Sequence, residues 1–149
     1  AKRFNKMLES AHKIQFPLSA GKYETAISKD FDIVLDKGFI FALILEDIAH
    51  LSVRGLLSHV PENGWVQVDM GAVPFVCNGA NVMAAGINDA SAEIVKGQYV
   101  WIREEKHKKP LGVGKALFDA KDMISSGKGK AIEALHYIGD KIWDYGVKD

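Results

Sequence analysis

The chain has 149 residues, 48% hydrophobic and 26% charged, a composition that belongs to a folded globule rather than to a disordered chain. Lys+Arg and Asp+Glu balance at 19 each, so net charge draws the protein to neither nucleic acid nor membrane, and any basic surface has to be local. A single cysteine, Cys77, excludes an internal disulfide, and a chain of this size buries enough surface on folding to need none.

In chain order, residues 2–13 predict a short helix with Phe4, Met7, Leu8 and Ala11 on one face. The opening AKRFNKMLES lacks the apolar core of a signal peptide, so a cytoplasmic protein is expected. Tyr23–Ile27, Phe31–Leu35 and Phe39–Leu45 are short runs of aromatic and β-branched residues and predict strands, the last two joined by a turn at Asp36-Lys37-Gly38. Residues 47–59 read as helix, ending before Pro61, and PENGW (61–65) marks a domain boundary.

Val66–Asp69 then predicts a strand. Pro74 is tolerated only in the first turn of a helix, which makes Gly71 the expected cap and Asn78-Gly79 the stop. Met70–Asn88 is uncharged and as long as a membrane span, but Gly71, Pro74, Gly79, Gly86 and three asparagines argue against one. Val82–Ala84 is expected to be extended, closed by Gly86. Tyr99–Glu104 and Pro110–Phe118 are further strands, residues 119–125 a helical turn, and Glu133–Ile138 with Lys141–Tyr145 a hairpin about Gly139-Asp140. The pattern is α+β: a small N-terminal α/β domain over residues 1–65, then a mostly antiparallel pseudo-barrel with short helices over residues 66–149.

Familiar catalytic chemistry is missing. LGVGKAL and SGKGKA resemble a phosphate loop but lack the motif's first glycine and the Ser or Thr after the lysine. GANVMAAG is no dinucleotide fingerprint. The five histidines His12, His50, His59, His107 and His136 have no metal-ligand spacing, and Cys77 reads as a small buried hydrophobe. No catalytic residue, metal or cofactor is expected. What remains is basic: Lys106, Lys108 and Lys109 fall at a hairpin tip, with Arg103 and Lys115 on its arms, a pattern suited to phosphate contacts.

The order of the motifs says more than any one of them. VDMGAVPFVCNGANVMAAGI, then KGQYVWIREE and PLGVGKAL, resembles the PUA domain, an RNA-binding module named after pseudouridine synthases and archaeosine transglycosylases. Ala85 and Gln98 depart from that family's usual proline and aspartate. The tail GKGKAIEALHYIGDKIWDYG is similar to the malignant-T-cell-amplified-sequence and ligatin family, in which a small N-terminal domain precedes the PUA domain. LEDIAHLSVRGLL loosely resembles that family's P-T-x-R-x-L segment.

The resemblance implies a non-catalytic protein that contacts structured RNA (tRNA or rRNA) and the small ribosomal subunit in translation initiation or recycling, with a protein partner in translation and no affinity for DNA or membrane. An accessory role beside an RNA-modifying enzyme is the alternative. The resemblance places RNA contacts on Gly71, Gly79, Ala80, Asn81, Met83, Ala84 and Gly86, where small residues let a backbone ledge approach the RNA. Charge and position add Lys109 and Lys115. Met83 also reads as a core residue.

Overall fold

The computed structural model describes residues 23–27 and 31–147; the helix expected over residues 2–13 lies outside them. The chain divides into two compact units, one running up to Glu62 and including the segment from Lys141, the other Asn63–Asp140.

The first unit is a four-stranded antiparallel meander of β1 (Tyr23–Ile27), β2 (Asp32–Asp36), β3 (Phe39–Leu45) and β4 (Ile48–Leu51). Asp36 pairs with Phe39, leaving Lys37-Gly38 as a two-residue loop in which both residues have positive φ. That is the backbone requirement of the tight turn whose twist matches paired strands. Leu45 pairs with Ile48 in the same way across Glu46-Asp47, again with positive φ at both positions.

The helix expected over residues 47–59 is therefore a strand followed by a shorter helix, α1 (Val53–Ser58). No glycine or asparagine marks the Glu46-Asp47 turn, so the apolar run from Phe39 to Leu57 hid it. Ser52 separates the two elements. Its hydroxyl accepts from Gly55 N at 3.3 Å as an N-cap and donates to the Ile40 carbonyl at 2.7 Å. Val34, Ala42, Leu43, Leu51, Val53 and Leu56 are buried in this unit.

The C-terminal residues Lys141–Asp144 form a helical turn, α4, rather than the second arm of a hairpin with β10 (Lys130–Tyr137). Arg54 holds this turn within the first unit. Its guanidinium lies 4.6 Å from the Phe39 ring centroid and 4.1 Å from that of Trp143, and its Nε donates to the Trp143 carbonyl at 2.8 Å.

The second unit is a six-stranded sheet in the order β6 (Val82–Met83), β10, β9 (Pro110–Ala116), β8 (Tyr99–Glu104), β5 (Trp65–Val68), β7 (Ile87–Ala90). All its pairs are antiparallel except β5 with β8. The curled sheet closes over a core that includes Val66, Val68, Ile94, Ile102, Met123 and Ile132. Helix α3 (Ala120–Ser126) contributes Met123 and ends at Gly127, which takes the left-handed conformation common at helix ends. Strand β7 went unexpected because Asn88-Asp89 within it carries the signature of a turn.

Candidate RNA-binding ledge

The chain from Asp69 to Gly86 follows β5 and returns to pair beside it. Asp69, not Gly71, caps the turn: its carboxylate accepts from Ala72 N at 2.9 Å, and residues Met70–Ala72 form a 3-10 turn leading into α2 (Val73–Val76). Gly71 lies inside that turn with an ordinary φ, and a Cβ there would stand 3.2 Å from the Asp69 carboxylate. Pro74 sits in the first turn of α2, as its missing N–H requires.

Cys77 follows as C-cap, half-buried against the core, and that burial raises its thiol pKa, which disfavours the thiolate. The turn that follows the helix ends at Gly79, whose φ is +87° and whose N–H donates to the Val76 carbonyl at 3.1 Å; Ala80 N returns to the Phe75 carbonyl at 3.0 Å. Tyr137 of β10 lies behind this stop. A Cβ on Gly79 would come within 2.8 Å of its ring. Asn81 remains exposed, with its side-chain oxygen accepting from Ala134 N at 2.8 Å, and so ties the loop to β10.

Only Val82–Met83 is extended; Ala84–Gly86 is a 3-10 turn, which corrects the expected extension through Ala84 closed by Gly86. The Gly86 carbonyl accepts from Asp69 N at 2.9 Å, and Ala84 N donates to the Gly129 carbonyl at 2.8 Å. Ala84 is 2% exposed and is a packing residue. Met83, which also read as core, stands 51% exposed. Phe75, which drew no notice in the sequence, is 67% exposed. Pro74 places Phe75 on the outer side of a four-residue helix whose buried residue is Val76. That offset was the readable signal.

The structure therefore brings Gly71, Gly79, Ala80, Asn81, Met83, Ala84 and Gly86 into one continuous hydrogen-bonded segment. It does not bring Lys109 and Lys115 together. They lie beyond and near opposite ends of β9, about 20 Å apart at the rise of an extended strand. Lys109 is exposed, while Lys115 is half-buried with its ammonium 5.7 Å from the Tyr99 ring centroid.

The motif LHYIGD has a structural explanation. The buried His136 places Nδ1 2.9 Å from one Asp140 carboxylate oxygen, which also accepts from Tyr137 N at 3.0 Å. Asp140 thus fixes the end of β10 and, through it, the strand that carries Tyr137 behind Gly79. Among the described residues, no group of three or more His, Cys, Asp or Glu side chains could hold a metal ion, and no helix is long and apolar enough to cross a membrane.

Fold and motif order define a class: residues 64–138 match the PUA domain family, and the chain belongs to it. An uncharacterized protein of Methanocaldococcus jannaschii is 44% identical over 125 residues, covering 84% of this chain and 77% of that one. Translation machinery-associated protein 20 of Saccharomyces cerevisiae is 36% identical over 89 residues, 56% of this chain and 49% of that protein. Malignant T-cell-amplified sequence 1 of Rattus norvegicus is also 36% identical, over 80 residues, 52% of this chain and 44% of that protein. The match to these named relatives thus spans about half their length. Among solved structures, a hypothetical protein of Pyrococcus horikoshii has a TM-score of 0.80 at 32% identity, covering 96% of this chain and 92% of that one.

Proposed function

We propose that the chain is a non-catalytic RNA-binding protein of the translation apparatus that holds structured RNA, tRNA in the first instance, at the small ribosomal subunit. The observation that carries this reading is the 70–86 segment of a PUA-family fold. Its small residues are pinned by backbone hydrogen bonds, while Phe75 and Met83 are left exposed beside them. Exposed aromatic and thioether side chains on a fixed ledge suit stacking against an unpaired base, as at the single-stranded end of a tRNA. Relatives named for the translation machinery support the cellular setting.

The test is titration of tRNA at about 50 and 200 mM salt, where phosphate contacts make affinity fall steeply. Phe75→Glu is expected to weaken binding at least tenfold while leaving the melting temperature within about 1 °C, because the removed ring is exposed. Wild-type binding that is absent or indifferent to salt would overturn the reading. Co-sedimentation with small ribosomal subunits tests the setting independently of the ledge.

A further inference from the structure

The turn between β8 and β9 is built around a buried carboxylate. Glu104, 5% exposed, accepts from Lys108 N at 3.0 Å and from His107 N. Burial pushes its pKa up, but the backbone donors of the turn outweigh burial and hold the group below the usual carboxylate range. Lys108 takes a φ of +59°, a conformation that a lysine rarely adopts. The result is that its ammonium folds back onto β5 and donates to Gln67 Oε1 at 2.7 Å.

The same oxygen accepts from Arg103 Nε at 3.2 Å, Gln67 and Arg103 being cross-strand partners in the parallel pair. Gln67 is 7% exposed, and its amide nitrogen donates to Asn88 Oδ1 at 2.9 Å, so the amide is locked in orientation. The guanidinium carbon of Arg103 in turn lies over the Trp65 ring, 3.4 Å from its centroid. Two cations thus share one neutral acceptor, and Asp89, the partner of Gln67 on β7, acts on Arg103 through its charge. Among the described residues, Arg103 donates to Gln67 through Nε and not through its Nη groups. Two cations held on one oxygen offer charge-assisted hydrogen bonds to a bridging anion.

We propose that Arg103 and Lys108, clamped by Gln67 and Trp65, form a phosphate-binding site on the β5–β8 pair that holds a backbone phosphate of the bound RNA. The site lies on strands separate from the 70–86 ledge, and the proposal rests on the RNA-binding reading above.

The test uses the full chain and tRNA. Lys108→Asn removes the charge and substitutes a residue that tolerates positive φ, so folding is expected to be retained. It should weaken tRNA binding several-fold and make the log–log salt slope shallower by about 0.7–0.9, one phosphate contact. Arg103→Gln should act in the same direction. Wild-type binding with unchanged slopes in both variants overturns this site and leaves the ledge standing; absent wild-type binding overturns the RNA reading and this site with it. If inorganic phosphate at matched ionic strength displaces tRNA from wild type but not from Lys108→Asn, the ligand is free phosphate and the assignment to RNA falls.

Discussion

Gly79 carries two constraints at once: a backbone at φ +87° and a neighbouring ring that a Cβ would approach to 2.8 Å. Its conformation alone costs any other residue about 1 kcal/mol, with the Tyr137 ring edge free to yield part of the steric term. Gly79→Ala is expected to lower the unfolding free energy from urea titration by about that amount while the folded protein binds tRNA as before. A bulky acidic substitution there would report on folding before it reported on RNA. At this scale the importance of the three glycines was legible, and their roles were not. Gly71 and Gly86 are small because Asp69 and Ala72 stand close, whereas only Gly79 needs positive φ. Such neighbours come from tertiary approach, which spacing along the chain does not encode. Phe75 was hidden for the opposite reason: an apolar residue in an apolar run reads as core until the helix is known to be only four residues long.

Among the elements, turn chemistry decided what could be read. Lys37-Gly38 was found because glycine announced it. Glu46-Asp47 adopts the same positive φ with no such marker, and β4 was absorbed into a helix that begins only at Val53. Replacing Glu46-Asp47 by Asn-Gly supplies the residues that this turn prefers. It is expected to raise the melting temperature by about 2–4 °C, followed by circular dichroism. The C-terminal hairpin failed differently. Gly139-Asp140 is a turn, but Asp140 spends its carboxylate on His136 and Tyr137 N, and the chain then enters α4, where Arg54 meets Trp143. Strands with regular alternation, such as Tyr99–Glu104, were legible because a half-buried pleat repeats every two residues.

For the whole molecule, two buried groups set separate acid limits. Burial lowers the pKa of His50 on β4 from 6.5 to about 4. The unfolded chain therefore takes up its proton first, so this contribution to stability is complete above pH 6.5 and is lost as the pH falls toward 4, about 3 kcal/mol in all. Hydrogen exchange of β2–β4 amides should show that loss across this window, and His50→Gln should remove most of the slope. Glu104 is also depressed, but from the carboxylate range, so the β8–β9 turn should hold until the pH is well below that at which β4 begins to weaken. The parallel pairing of β5 with β8 has a consequence for how the protein is made. Both neighbours of β5 lie downstream: Val66 pairs with Ala90 and with Ile102, about two dozen and about three dozen residues later. During synthesis the apolar strand WVQV leaves the ribosome with no partner and must wait for most of its domain to follow, which makes docking of β5 a late, long-range event in folding.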